Sequence, residues 1–242
     1  MTDELLLLQG QDYNIGNGMT IHHPLLSEIS AVGEQEYYSM VSNMCATPSD
    51  YKSILYDNYK IDYETLGDFE FFASLVHNGS FNNQPTDLVL QGVDLSAMKI
   101  AKNNTTNEIV LYNEKSHIEL NELDYLLITD YLRKMHGFEK HVDIAGTEAT
   151  KRYLINKARK QLRNKKEKYT PILPSLISAM VNSEQFKYDY STVWSLNIYQ
   201  FMDAVRRIQK IKNAEQIIQG IYSGNIDSKK ISKESLNWLG AL

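Results

Sequence analysis

Six histidines, one cysteine and a scatter of carboxylates are the groups in this 242-residue chain that could carry chemistry, and their spacing decides whether they do. A zinc or iron site draws on His, Cys or carboxylate ligands at productive intervals, such as two histidines one helical turn apart. His22, His23, His77, His117, His136 and His141 offer no such interval. His22 and His23 are adjacent in a β-prone stretch, so their rings leave on opposite sides. His136 and His141 straddle the end of a predicted helix, where a protonated imidazole suits the negative pole of the dipole. Cys45 lacks any nucleophile signature and reads as a buried thiol. No serine sits in a GxSxG elbow, neither GxxxxGK[ST] nor GxGxxG occurs, and Gly16-Asn17-Gly18 alone makes no phosphate cradle. Asp124, Asp130, Asp143 and Glu148 are carboxylates that the sequence does not pair as acid and base. The expectation is therefore no enzymatic activity, no metal and no cofactor.

A strong concentration of charge remains. Between Lys151 and Lys168 lie nine Lys or Arg and a single Glu, a local net charge of +8 in a chain of total −5, so the remainder carries −13. On one helix, residues such as Arg159, Lys160 and Arg163 would cover most of the circumference. Such a helix can neutralise phosphates without regard to sequence. It can equally lie on an acidic protein partner or stand as a solvated face. Aromatic residues, on which single-strand binders stack bases, are nearly absent within the run.

The element that must position a partner surface runs from Phe186 to Ile211. Asp189 or Ser191 can cap a short first helix, and Asn197 a longer second one. Ile198, Phe201, Met202, Val205 and Ile208 then recur at helical spacing, with Gln200, Asp203, Arg206, Arg207 and Lys210 on the other faces. Trp194 and the upstream tyrosines would close over that stripe. Nothing in this unit is a reactive group; it is a packing motif.

Around it the chain reads as α+β, predominantly α-helical, with a small inserted antiparallel β-sheet. Residues 1–24, rich in glycine and ended by Pro24, predict an extended N-terminal arm. Residues 25–83 predict a helical part: 25–43, weakened by Gly33; 48–59, with Ser49 or Asp50 near its start; and 62–77, ended by Gly79. Residues 84–120 hold four short β-prone runs, at 87–91, 98–102, 108–112 and 117–120, and a sheet that small must pack one face on a helix. Its chief candidate support is 121–136, with Asn121 as cap and Gly137 as stop. The helical remainder, 121–242, continues with helices over 145–168, 175–183 and 213–222 and a tail that docks through Trp238. Lys60-Ile-Asp-Tyr-Glu-Thr-Leu echoes Lys187-Tyr-Asp-Tyr-Ser-Thr-Val, which two independent Asp-capped helix starts explain better than a duplication.

An apolar fraction of 43% and a charged fraction of 23% suit a globular chain with a sizeable core. Tyrosine, at 16 against 7 Phe and 2 Trp, suits half-buried faces and interfaces, although an AT-rich genome would also raise it. One cysteine forms no internal disulfide and fits a reducing compartment. The start, MTDELLLLQG, is too short in apolar residues for a signal peptide, and no run approaches a membrane span.

Three phrases carry a resemblance: Met19-Thr-Ile-His-His-Pro-Leu-Leu-Ser-Glu-Ile, Asp62-Tyr-Glu-Thr-Leu-Gly-Asp-Phe-Glu and Phe186-Lys-Tyr-Asp-Tyr-Ser-Thr-Val-Trp-Ser-Leu. They resemble segments of bacteriophage tail and baseplate assembly proteins, chaperone-like and from phages of Gram-positive hosts. The chain is longer than the usual small tail chaperones and adds the 88–120 sheet, which leaves open a structural virion or baseplate protein. The resemblance implies a role without chemistry, in which an aggregation-prone tail protein, such as a tape-measure segment or a baseplate component, is held until assembly. It implies work in the host cytoplasm, with incorporation in the virion left open. An apolar groove with a charged rim is the physical requirement, supplied by helices such as 25–43 and 198–211. Trp194, Ile198, Phe201, Met202 and Val205 are the candidate apolar contacts, and Arg159, Lys160 and Arg163 the charged ones. The alternative is a nucleic-acid-associated factor using 151–168.

Overall fold

The computed structural model describes residues 4–103, 105–164 and 169–240; Lys165, Lys166 and Lys168 of the basic run lie outside them. Its first element differs from the expected extended arm. Glu4–Gln9 form helix α1, with Leu7 buried. Four leucines in a row show no helical period by themselves; the helix forms because a later helix passes beneath it. Tyr13–Gly16 (β1) and Met19–Ile21 (β2) then make a hairpin. Its turn residues Asn17 and Gly18 have φ of 52° and 78°, the left-handed pair that a tight hairpin needs. Met19 and Ile21 are wholly buried.

The helix expected over 25–43 is two helices, Leu26–Val32 (α2) and Glu34–Met44 (α3). Gly33 separates them with φ +99°, which no L side chain adopts readily. The 48–59 stretch changes pitch three times: a 3-10 turn at Pro48–Tyr51, α4 at Lys52–Ile54, and a π-helical turn at Leu55–Tyr59. Asp68–His77 (α5) begins six residues after the expected Asp62, where Gly67 N–H finds the Glu70 carboxylate at 3.2 Å.

Two small antiparallel sheets replace the single expected one. Leu90–Gln91 (β3) pairs with β2, not with the later strands, giving the order β1-β2-β3. Gly92 makes this close approach feasible, since a Cβ there would lie 2.1 Å from the Gly18 carbonyl oxygen. Lys99–Lys102 (β4), Ile109–Asn113 (β5) and Ile118–Leu120 (β6) form the second sheet. It packs on α5, and Leu111 and Leu120 are fully buried. Glu122–His136 (α6) starts and stops as its sequence predicts. Asn121 Oδ1 accepts from the Asp124 N–H, Asp124 accepts from the Asn121 N–H, and Gly137 ends the helix at φ +67°.

A strap without regular structure, 138–147, leads to Glu148–Asn164 (α7) and then Leu173–Val181 (α8), which has Pro174 in its first turn. After a 3-10 turn at Val193–Ser195 comes Ile198–Tyr222 (α9), 25 residues without a break, because neither Gly nor Pro stands between Ile211 and Gln219. Lys233–Leu236 (α10) returns along it. The result is α+β, mostly helical. One apolar cluster extends from Leu7 to Ile208. Distant parts of the chain meet within it: Leu26 N–H donates to the Leu196 carbonyl (2.9 Å) and Ile198 N–H to the Pro24 carbonyl (3.0 Å).

Candidate functional site

The turn before α9 is built by one carboxylate. Asp189 Oδ1 accepts from the backbone N–H groups of Ser191 and Thr192 (both 2.9 Å) and from both of their hydroxyls (2.6 and 2.8 Å). These bonds, led by the Ser191 hydroxyl, hold its carboxyl at a pKa of about 2. The sequence offers Asp189 or Ser191 as the cap of a short helix; Asp189 instead closes this turn, and the 3-10 turn that follows has no side-chain cap. The turn presents Tyr190 and Trp194, and the indole Nε1–H donates to the Tyr190 carbonyl at 2.9 Å, fixing the ring.

Tyr190 and Trp194 form one wall of a groove of about 450 Å³. Leu26 and Ile29 of α2, Leu173, Pro174 and Ile177 of α8, and Pro171 before it supply the rest of its apolar lining. Trp194 is 36% exposed and Tyr190 56%, so both have surface to give. The α8 wall is fastened from a distance. Glu34, at the start of α3, accepts from Tyr169 Oη–H and Ile172 N–H (2.8 Å each) and from Leu173 N–H (3.1 Å). It thus satisfies orphan donors that α8 does not cap itself.

The rest of the expected apolar contact face is placed differently. Ile198 and Phe201 are 1% and 0% exposed, and Phe186 meets the Phe201 ring edge-on at 6.3 Å. Met202 and Val205 are half-buried against the same core. The stripe is covered by α1 and α6, which pack along α9. Trp194 is the one residue of that set at the groove.

On α7, Ile155 and Ala158 are buried, and the helix lies against α4. Lys151 reaches Asp62 (2.6 Å) and Glu64 (2.5 Å). Arg159 Nε donates to Asp57 Oδ2 at 2.9 Å, its Nη2 donates to the other oxygen, and its guanidinium lies 5.7 Å from the centre of the Tyr56 ring. Lys60 lies 5.6 Å from the same ring. Lys160 is exposed and has no carboxylate partner among the described residues, while Arg163, also exposed, acts on Asp57 only at a distance. The structure thus brings Arg159 and Arg163 together in one cleft, with Lys160 outside it and Trp194 in another groove. Sequence reasoning missed Tyr56, Asp57 and Glu34. The Asp-Tyr content of 56–62 was visible, but the π-helical pitch that aims it at α7 has no local signal.

The ionisable residues elsewhere are mostly structural. His136 is half-buried and neutral, its pKa lowered to about 4 by loss of water, which corrects the expectation of a charged ring at the helix end. Its Nδ1–H donates to the Leu132 carbonyl (2.7 Å) and its Nε2 accepts from Tyr37 Oη–H (2.5 Å). His22 and His23 do point to opposite sides: His22 lies between Asp12 (2.8 Å) and Glu28 (3.2 Å), while His23 Nε2 meets Tyr131 Oη at 2.7 Å. Burial pushes the Cys45 thiol up to about 12, leaving it inert as a nucleophile. His141 bridges Asp50 (2.7 Å) and Asp143 (3.3 Å), and Lys52 completes the cluster at 2.5 Å from Asp143. Among the described residues no group of three or more His, Cys, Asp or Glu is arranged to hold a metal ion, and no helix is long and apolar enough to cross a membrane.

Residues 164–242 match a family model described as YomV second domain, from a phage-encoded protein family. The match takes in α8, the Asp189 turn, α9 and α10. No curated protein matches the chain, and no solved structure does.

Proposed function

We propose that this protein is a non-enzymatic phage component that holds another tail or baseplate protein during assembly, and that it does so through the groove at Trp194. The observation that carries the reading is the groove itself: about 450 Å³, lined mainly by apolar side chains and walled by two partly exposed aromatics held in a rigid turn. Exposed aromatics fixed in place are what a partner anchor needs, since little side-chain entropy is left to lose on binding. The fit is to an apolar helix face, such as a stretch of a tape-measure protein, laid between α2 and α8. The similarity of residues 164–242 to a phage-encoded domain supports the same setting.

Co-expression with tail and baseplate proteins of a phage that encodes it tests the proposal. One of them should become soluble only in its presence and co-elute with it. Trp194→Ala combined with Tyr190→Ala should weaken that complex at least about tenfold, since buried aromatic anchors carry about 2 kcal/mol or more each. A double variant that melts as the parent does and still holds the same partner would overturn the groove reading.

A further inference from the structure

The surface that the groove does not use is the basic face of α7, to whose own Tyr153 folding adds the tyrosines of the π-helical turn. Arg152, Asn156, Arg159 and Arg163 recur at helical spacing and form one row along the helix. Arg159 is anchored by Asp57 and the Tyr56 ring, so this row borders the π-helical turn. Between them lies a cleft of about 260 Å³ whose lining includes Asn58, Arg159 and Arg163. Tyr59 closes the π-helical turn at 58% exposed, and Tyr153, next to Arg152 on α7, is 65% exposed.

Of the six cations from Lys151 to Arg163, Lys151 and Arg159 are spent on Asp62, Glu64 and Asp57. Arg152, Lys157 and Lys160 have no ion-pair partner among the described residues, on a chain that is otherwise acidic, and Arg163 feels Asp57 only across the cleft, since that carboxylate is held by Arg159. Cations without ion-pair partners, on a helix that carries the exposed Tyr153 and borders the turn ending at the exposed Tyr59, are the pairing that a flexible polyanion with stacking bases satisfies.

We propose that the α7 face and the π-helical turn together bind single-stranded nucleic acid. Phosphates lie along Arg152, Lys157, Lys160 and Arg163, and bases stack on Tyr59 and Tyr153. Asp57 keeps Arg159 as a fixed wall of the cleft and not as a phosphate ligand. A duplex hides its base faces, so the tyrosines favour the single strand.

The full-length protein, titrated into a labelled short oligothymidylate, a duplex of equal length and heparin, decides the matter. At low salt the oligothymidylate should bind tightest, and its affinity should fall steeply as salt is raised. Tyr59→Ala with Tyr153→Ala should weaken the single strand by about tenfold or more and leave heparin unchanged. Lys157→Gln, Lys160→Gln and Arg163→Gln together should weaken all three ligands and flatten the salt dependence by about 0.7 for each phosphate no longer neutralised. Trp194→Ala should change nothing here, which keeps this surface separable from the groove. No binding at low salt, equal affinity for heparin and single strand, or a tyrosine double variant that binds as the parent does would each overturn the proposal.

Discussion

At His136 the Nδ1–H is committed to the Leu132 carbonyl and Nε2 accepts a hydrogen bond from the Tyr37 hydroxyl, so both ring nitrogens are occupied in a half-buried site that disfavours the charged form. His23, 2% exposed, has Nε2 on Tyr131 and Nδ1 buried without a partner among the described residues, and burial lowers it likewise to about 4. In the unfolded chain both return to about 6.5. Between those values the unfolded state binds the extra protons, so both contributions are fully present above about pH 6.5 and are lost as pH falls toward 4. At about 1.4 kcal/mol per unit, each is worth up to roughly 3 kcal/mol across that window. Melting temperature should therefore drop steeply between pH 6.5 and 4.5, and His136→Gln should flatten part of the drop; a pH-independent melt over that range would refute the assignment. Reading the chain alone leads to the opposite charge state for His136, because position at a helix end is local whereas the burial by α3 that decides the matter is not.

Among the elements, α6 and α9 were legible to their first residues. Asn121, Gly137 and Asn197 act on backbone groups within one turn, so the whole signal lies in the local sequence. The caps supplied across the fold were not legible. Glu34 closes α8 from 138 residues away, and Glu34→Ala should cost about 1 kcal/mol and speed amide exchange at the start of α8, with α6 unaffected. Uniform exchange across both helices would argue against that role. Gly10 is a second such case. It sits at φ +68°, and a Cβ there would lie 2.1 Å from Asn197 Nδ2. Gly10→Ala must therefore push aside the side chain whose oxygen accepts from the Gln200 N–H and starts α9. A loss of about 1–2 kcal/mol in urea unfolding is expected, from the cap and the left-handed backbone together. The partner face read from α9 lies turned inward, which the sequence hides for the same reason that it hides Glu34. Periodicity identifies an apolar stripe but not what covers it, and here α1 and α6 do.

For the molecule as a whole, the segment similar to a phage-encoded domain does not carry its own cover. Helices α1 and α6, both outside 164–242, pack along α9, where Ile198 and Phe201 are buried, so that segment expressed alone should lack a cooperative melt. A sharp two-state transition from the fragment would contradict this. The pairing of residues 24–26 with 196–198 has a further consequence, one of timing. Synthesis proceeds from the N-terminus at about 5–20 residues per second, so α2 leaves the ribosome many seconds before the segment that completes it. During that interval Leu26 and Ile29 remain open to water on the nascent chain. Emergence of Ile198 from the ribosome, not local folding, sets the earliest moment at which the protein can close on itself.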